Sequence, residues 1–416
     1  MLIRDSQKSS KVLKIIHGLI YTIIFISPNA QLETNITGLN ITGSLSRILG
    51  IILAIFFSLH LLISKSQKTF LLKDKYGSNF VFFLFLIMFI PLISFYKALD
   101  YELFFQALIK LLMSVAFSVI IFYSISTIQK INTCLLSYLF GYIFIAIIGI
   151  YNYNSSEIYT GQSYTISRLG AGTDPNMLAL YSLIAMPICL KFFTEAGKLK
   201  KLLWLIALLF IGTTSFLTYS RAGIIVFVVQ AVLALFIFKV SKSLLKRIGF
   251  SIIIILITVI PFYTVENWAL RFRDIQSDTR LQLFEEATAT LVENPLLGVG
   301  YNQFILYSRI GEVAHNTYLE IGAGTGIFSL IVFVSFLLFI WRSLYIKREI
   351  THGLEMRFKA MSKLILSTLI IMAFFLSIDN EKILWVNISL IFCILRYFQH
   401  TSNPQPGNYR IEKVRN

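Results

Sequence analysis

Long apolar runs follow one another along most of this chain, and they restrict what it can fold into. Each run has about 17–22 residues, enough for a helix that crosses the roughly 30 Å hydrocarbon core of a bilayer. Charged residues make up 14% of the sequence, whereas a soluble domain carries about 25%. The mean hydropathy of +0.74 agrees with this difference. The sequence therefore predicts an all-α polytopic membrane protein and excludes a soluble globular domain.

We expect about twelve transmembrane helices, with a helical loop between the ninth and the tenth. The predicted spans cover residues 12–28, 46–64, 79–95, 102–123, 133–151, 174–193, 202–219, 222–238, 248–264, 315–340, 361–378 and 382–398. The chain then divides into a first set of helices in residues 1–264, the loop 265–314, the last helices in 315–398 and a tail in 399–416.

Lysines indicate on which side of the membrane each loop lies. They cluster near residues 65–75, 198–201 and 239–247, and these loops alternate with the spans as cytoplasmic loops should. The same rule accounts for the net charge of +16 without nucleic acid as a partner. We therefore expect both termini in the cytoplasm. Lys110 is an exception, because it lies inside the fourth span, where a charge is costly, without an evident partner.

The opposite side carries mostly arginine. Arginine binds phosphate or carboxylate through two hydrogen bonds and keeps its charge when buried, so anion binding is one explanation. The other explanation is pairing with acids on the same side, which are Asp274, Asp278, Glu285 and Glu286. The arginines concerned are Arg47, Arg168, Arg221, Arg271, Arg273, Arg280 and Arg309.

Arg221 is a candidate because of its position. Residues 202–238 would form a helix of about 55 Å, too long for one span of about 30 Å. The break in this run is Ser220-Arg221-Ala222-Gly223, so we expect the chain to turn there. An arginine at membrane depth is a functional candidate by default, although snorkelling of the side chain towards water would also explain it.

The loop before the tenth span contains a predicted amphipathic helix. Ser277 and Asp278 are good N-caps, and Asn294-Pro295 ends the helix. Arg280 falls in the first turn, where the helix dipole disfavours a cation unless an anion binds there too. We expect this helix near the outer leaflet, with an apolar face formed by Leu281, Phe284, Thr288 and Leu291.

His315 begins the tenth predicted span, at the arginine-bearing side. Its imidazole is expected to accept a proton near neutral pH, although a lone histidine is more often structural. A helix that starts at residue 315 would place on one face His315, Tyr318, Leu319, Gly322 and Gly326, where small residues let another helix approach. The three cysteines lie inside apolar spans, which favours buried thiols over a disulfide or metal site.

Four segments together resemble the bacterial O-antigen ligase and O-antigen polymerase superfamily. They are SRLGAGTDPNMLALYS at residues 167–182, LTYSRAG at 217–223, ENPLLGVGYNQF at 293–304 and HNTYLEIGAGTGIF at 315–328. The last segment carries the most specific motif, which is His315 followed by Asn316 and later by Gly326. Ligases often have Gly, Thr or Tyr three places after that glycine, where this chain has Ser329.

The resemblance implies a GT-C-like glycosyltransferase of the bacterial inner membrane, with its active site facing the periplasm. It implies a glycan linked to undecaprenyl diphosphate as the donor, and Arg221 and Arg280 as the residues that bind the diphosphate. His315 would be the general base of an inverting transfer that needs no metal and no cofactor. Further candidates for orienting substrates are Arg168, Asp174, Asn316 and Tyr318.

The resemblance leaves two acceptors open. A ligase, slightly favoured, would use the lipid A core, whereas a polymerase would use a second lipid-linked repeat. The TDPNMLA and PLLGVG stretches are similar to polymerases, and the histidine motif is similar to ligases. A transporter of lipid-linked glycans is a third possibility, disfavoured because the spans show no clear repeat. Membrane lipids are expected partners, and the sequence does not determine the sugar, the linkage or the oligomeric state.

Overall fold

The structure, a computed structural model, describes residues 2–28, 45–63, 75–151, 158–160, 165–170, 174–238, 243–264, 268, 279–346 and 353–402. These residues form fourteen α-helices and one short hairpin. The helices are α1 Leu2–Ile26, α2 Leu45–Ile63, α3 Lys75–Ile93, α4 Tyr101–Ser124, α5 Ile128–Tyr151, α6 Pro175–Glu195, α7 Lys198–Leu217, α8 Arg221–Ile237, α9 Leu244–Thr264, α10 Thr279–Glu293, α11 Phe304–Tyr307, α12 Thr317–Tyr345, α13 Gly353–Met372 and α14 Lys382–Ser402.

The helices follow the predicted spans closely. Each predicted span falls on one helix, from α1 to α9 and from α12 to α14. Eight helices in the described part of the chain are long and apolar enough to cross a membrane, and α8 is apolar but has 17 residues. The all-α polytopic class is therefore confirmed, while the total of about twelve spans stays a prediction.

A short hairpin is the exception to the helical architecture. Strand β1, Ile158–Thr160, pairs antiparallel with strand β2, Thr165–Ser167. Both lie in the loop predicted at 152–173, directly before Arg168.

The bundle has two ends because consecutive long helices run in opposite directions. We name the first the His315 end, which contains residues 94–100, 168–170, 174–176, 217–221, 294–317 and 373–381. The N–H of Thr317 donates to the carbonyl of Ala373 there, at 2.7 Å. We name the second the lysine-rich end, which contains residues 125–132 and 191–201 with Lys130, Lys191, Lys198, Lys200 and Lys201. Nη2 of Arg396 donates there to the carbonyl of Ile125 at the end of α4, at 2.8 Å.

Phenylalanine rings join three helices in the bundle core. The ring centroid of Phe80 in α3 lies 4.4 Å from that of Phe392 in α14 and 6.5 Å from that of Phe336 in α12. All three side chains are buried. Such ring pairs contribute about 0.5–1.5 kcal/mol each beyond the burial of their area. The three cysteines are free and buried as well, so the prediction of apolar core thiols is confirmed.

Lys110 of α4 has a partner, contrary to expectation. Its Nζ lies 2.6 Å from Oε1 of Glu381, in the loop before α14. The two residues are 271 positions apart, so only the fold brings them together. Lys110 lies about 13 Å below the start of α4, at about 1.5 Å per residue, so the loop 373–381 reaches into the bundle.

Helix α12 is interrupted at Gly326. Its φ of 84° and ψ of 178° lie in a region that is open almost only to glycine. In a regular helix the carbonyls of Ala323 and Gly324 would accept from N–H groups one turn later. The break takes those donors away, so the carbonyls need other partners.

The chain just before α12 supplies those partners. We name residues 294–303 the inserted turn. The N–H of Val299 donates to the carbonyl of Ala323 and the N–H of Gly300 to that of Gly324, both at 2.9 Å. In return, the N–H of Ile327 donates to the carbonyl of Pro295 at 2.8 Å. Hydrogen bonds between α12 and the inserted turn thus replace the helical hydrogen bonds that α12 lacks at its break.

The same break corrects the predicted glycine face of α12. A Cβ atom on Gly326 would lie well under 3.0 Å from the backbone of Leu296, in the inserted turn. The segment that lies close to α12 at Gly326 is therefore a turn, and not the second helix that was predicted there. At Gly322 a helix does lie close to α12, as predicted, because a Cβ there would lie 3.0 Å from Cδ2 of Leu291 in α10.

Gly326→Ala should destabilise the protein strongly. The added Cβ would clash with the inserted turn, and alanine is strained at this φ, which together cost at least about 2 kcal/mol. We expect a lower melting temperature in detergent. The control is Gly249→Ala in α9, where nothing lies within 4 Å of the added Cβ and the melting temperature should not fall. Equal melting temperatures of the two variants would contradict this account of α12.

Candidate functional site

His315 lies in the loop that leads into α12. The helix begins at Thr317, and His315 has a left-handed backbone with φ of 48°. The expectation that His315 shares a helical face is therefore wrong, because Asn316 caps the helix after it. The imidazole is 30% exposed, and its Nε2 lies 3.5 Å from Oε2 of Glu312. A partly exposed imidazole beside a carboxylate can accept a proton from a bound hydroxyl.

Asn316 uses its side chain to start α12. Its Oδ1 accepts from the N–H of Tyr318 at 3.0 Å and from the N–H of Leu319 at 3.2 Å. These are donors of the first helical turn, which has no backbone acceptor of its own. The structure therefore gives Asn316 a capping role, and a role in orienting substrate stays a prediction.

Thr317 locks the start of α12 to the loop 373–381. Its Oγ1 donates to the carbonyl of Leu376 at 2.6 Å and accepts from the N–H of Ile378 at 2.9 Å. Together with the bond from its N–H to Ala373, this fastens the residue two places after His315 to the end of α13.

Tyr318 points to α13. Its hydroxyl donates to the carbonyl of Ile370 at 2.9 Å, and its ring centroid lies 4.5 Å from that of Phe374. The side chain therefore joins α12 to α13, and its predicted contact with substrate is untested.

Helix α10 packs on the first half of α12 with only part of the predicted face, because Leu291 lies against Gly322. Leu281 and Thr288, two members of the predicted apolar face, are exposed, Leu281 by 64%. The prediction assumed that the helix rests on lipid. Its contact with α12 instead buries a stripe of residues that only partly coincides with the predicted face. The buried residues of α10 are Leu283, Ala287 and Thr290.

Arg280 lies in the first turn of α10, as predicted, and is partly exposed. Leu283, one turn further on, packs into the same apolar cluster as Ala314. Ala314 directly precedes His315, so Arg280 and His315 lie at the same end of the α10–α12 pair. The predicted caps Ser277 and Asp278 lie outside the described residues.

Arg309 follows the alternative explanation for these arginines. Its N–H donates to Oε2 of Glu286 at 3.1 Å, and its Nε lies 3.9 Å from Oε1 of the same carboxylate. Pairing with an acid on the same side therefore accounts for Arg309. Arg271 and Arg273 lie outside the described residues.

Arg221 is the first residue of α8, so the predicted turn between two helices is confirmed. Ser220 is the N-cap, and its Oγ accepts from the N–H of Gly223 at 3.1 Å. Helix α7 ends at Leu217, three residues before this cap. Arg221 therefore stands at a helix N-terminus, where the helix dipole favours a bound anion.

A buried hydrogen-bond network holds the turn before Arg221. Nε of Arg168 donates to the carbonyl of Thr218 at 2.9 Å, and Nη2 donates to Oδ1 of Asn176 at 3.2 Å. The same Oδ1 accepts from Oγ of Ser220 at 2.8 Å, and Asp174 accepts from Nδ2 of Asn176 at 3.0 Å. The structure thus gives Arg168 and Asp174 a part in positioning α8, and their predicted contact with substrate stays untested.

Arg221 and His315 lie at the same end of the bundle through α13. Nε2 of Gln230, in α8, donates to Oγ1 of Thr368 in α13 at 2.7 Å, and the end of α13 contacts Thr317. The fold therefore brings Arg280 and His315 onto one helix pair and holds Arg221 at the same end. Convergence of the three side chains on one cavity stays a prediction.

A polar pair that the sequence did not single out lies beneath this end. The hydroxyl of Tyr301 donates to Oδ2 of Asp379 at 3.3 Å, although the two residues are 78 positions apart. Burial raises the pKa of the Asp379 carboxyl to about 6. Both side chains line a mostly apolar cavity together with Pro91, Leu111, Ile321, Thr325, Phe333 and Trp385.

Gln303 fastens the other side of the inserted turn. Its buried Oε1 accepts from the N–H groups of Leu99 at 3.1 Å and Asp100 at 2.8 Å, and its Nε2 donates to the carbonyl of Asp100 at 3.1 Å. The side chain of Gln303 thus provides hydrogen-bond partners for three backbone groups of the loop between α3 and α4. Spacing in the sequence gives no signal for this contact, because it joins segments about 200 residues apart.

Comparison with known families supports the resemblance noted above. Residues 206–334 match a family model described as O-antigen ligase. The match begins within α7 and includes Arg221, Arg280, the inserted turn and His315. It supports the O-antigen ligase and polymerase superfamily. A search of curated proteins found no match.

The raised pKa of Asp379 predicts how stability depends on pH. The folded protein holds this proton more tightly than the unfolded chain does. The stability that the protonated carboxyl contributes is therefore full below a pH of about 4 and is lost as the pH rises through about 6. Asp379→Asn removes the ionisation and keeps an oxygen for Tyr301. Relative to wild type, the variant should gain on the order of 3 kcal/mol between pH 4 and pH 7. Thermal unfolding in detergent measures this, and a gain that does not change with pH would contradict it.

Proposed function

We propose that this chain, whose residues 206–334 match a family model described as O-antigen ligase, transfers a glycan from undecaprenyl diphosphate to a sugar hydroxyl. The acceptor that we favour is the lipid A core, which would make the protein an O-antigen ligase. The lysine-rich end would face the cytoplasm, as the positive-inside rule requires, and the His315 end the periplasm. The membrane would be the bacterial inner membrane.

The placement of His315 carries this proposal. The imidazole is partly exposed at the end of a loop, while the residues on both sides of it are buried and hydrogen-bonded. Arg280 lies in the first turn of the helix that packs against the same α12, and Arg221 is the first residue of a helix at the same end. A proton acceptor and two cations at one end of a membrane bundle suit the attack of a hydroxyl on a diphosphate-linked sugar.

The reaction would be one displacement with inversion at the anomeric carbon. His315 takes the proton of the acceptor hydroxyl while that oxygen forms its bond to the anomeric carbon. The bond from this carbon to the diphosphate oxygen breaks, and the diphosphate leaves with the electron pair. Glu312, at 3.5 Å from Nε2, would stabilise the imidazolium that results.

Arg221 and Arg280 would bind the diphosphate and stabilise the charge that grows on it. Each stands in the first turn of its helix, so its guanidinium would act together with free backbone N–H groups. The proposed transfer uses no metal, and in the described ranges no group of three or more His, Cys, Asp or Glu could hold one.

A polysaccharide polymerase is the alternative. It would perform the same displacement with a second lipid-linked repeat as the acceptor. The intact PLLGVG stretch, similar to polymerases, favours it, and in this chain that stretch is the inserted turn. The histidine motif, similar to ligases, favours the ligase slightly, and the family match does not separate the two acceptors.

His315→Ala should lower kcat for transfer from purified lipid-linked donor at least about 100-fold, because a positioned general base contributes about 10²–10⁴-fold. The donor KM should change little. Near-normal kcat in this variant would contradict the assignment of His315 as the general base.

Arg221→Gln and Arg280→Gln should each lower kcat about 100-fold or more, because each removes one stabiliser of the leaving diphosphate. The matched control is Arg342→Gln, an exposed arginine at the other end of α12. The assignment fails if the control loses as much activity as the other two.

The acceptor can be identified with the purified protein and lipid-linked donor, with and without lipid A core. Product that forms only with lipid A core is expected of a ligase. Longer lipid-linked glycans without core would show a polymerase and overturn the preferred acceptor.

A further inference from the structure

Glu320 is a buried carboxylate that nothing in the proposed chemistry yet uses. It lies in the first turns of α12, with 7% of its surface exposed. Its Oε2 accepts from the N–H of Ala314 at 2.7 Å, reaching back past the start of the helix. Ala314 is fully buried and directly precedes His315. The carboxylate therefore holds the backbone on the N-terminal side of His315.

His315 needs to be held in this way. A left-handed backbone is uncommon for residues other than glycine and persists only where the surroundings enforce it. On the C-terminal side the enforcement comes from Asn316, which caps α12, and from Thr317, which binds the end of α13. On the N-terminal side it comes from the bond between Glu320 and Ala314.

Packing alone does not explain a glutamate here. Burying a carboxylate is costly unless it is hydrogen-bonded, and an apolar residue of similar size would fill the same space without that cost. The position at the start of a helix lowers the cost, because the dipole favours negative charge there. The titratable groups near the Glu320 carboxyl are Asp379 and Tyr301. Both are acids, so neither supplies a positive charge to pair with it. The bond to Ala314 is one interaction that a leucine could not make, and the side chain of Ser377 also faces this carboxyl.

We propose that Glu320 is a positioning residue for the transfer reaction, acting through the backbone of Ala314 to aim the imidazole of His315. This inference rests on the proposed role of His315 as the base. A displacement of about 1 Å in a reacting group can lower the rate about 100-fold, so the loss of this anchor affects kcat. The donor site is formed by other residues, so its KM stays the same.

Three variants of Glu320 separate reach from charge. Glu320→Gln keeps an oxygen at the same distance from Ala314, so its kcat should stay within about threefold of wild type. Glu320→Leu removes the acceptor, and Glu320→Asp keeps the carboxyl group but draws it back by one methylene. In both, kcat should fall about 10- to 100-fold with the donor KM unchanged. The matched control is Ser343→Ala, a buried hydroxyl near the other end of α12 that bonds within its own helix, and its kcat should not change.

A double variant tests the route through His315. If Glu320 acts only by aiming the imidazole, His315→Ala with Glu320→Leu should be no slower than His315→Ala alone. Further slowing, or an aspartate variant with wild-type kcat, or equal losses in the glutamine and leucine variants, would overturn the inference. The aspartate and glutamine variants decide the matter even if the leucine variant does not fold. Failure of the proposed function is recognised separately, because His315→Ala would then keep its activity.

Discussion

The exchange of backbone hydrogen bonds between α12 and the inserted turn is the interaction on which the His315 end depends. A helix inside a membrane must satisfy every backbone group internally or with other protein segments, because lipid offers no partners. Gly326 breaks this rule locally, and the turn 294–303 restores it by donating to the orphaned carbonyls. The turn is thereby fixed in place, and it carries Tyr301 to Asp379 and Gln303 to the loop between α3 and α4. One irregular glycine thus organises the segments around the candidate site.

Helix starts form the rest of this end. Ser220 and Asn316 each cap a helix with a side-chain oxygen, and a candidate catalytic or diphosphate-binding residue stands next to each cap. Capping fixes the backbone of Arg221 and of the residue after His315 without using the guanidinium or the imidazole. The backbones that carry these two candidate residues are thereby held rigid. Glu320 extends the same arrangement to the other side of the histidine.

Local periodicity predicted some contacts and missed others for an identifiable reason. The stripe expected on α10 assumed an apolar surface beneath it, but pairing with α12 buried Leu283 and left Leu281 exposed. The face expected for α12 assumed a helix from residue 315, but the cap at Asn316 moved the start and left His315 outside it. On α10 the packing against another helix overrode the pattern, and on α12 a local cap did. Lys110 is similar, since its partner Glu381 is evident only in the fold.

The sequence by itself determined the membrane class, the position of the helices and the turn at Arg221, because span length and hydropathy are local properties that bilayer thickness selects. It also singled out His315 and Arg280, because a histidine and an arginine between apolar spans are conspicuous and belong to a recognisable motif. Only the tertiary structure decided how the histidine is held. The partners of Thr317 and of the carbonyls of Ala323 and Gly324 are backbone groups, which every residue carries, so no residue type in the sequence marks which of them will meet.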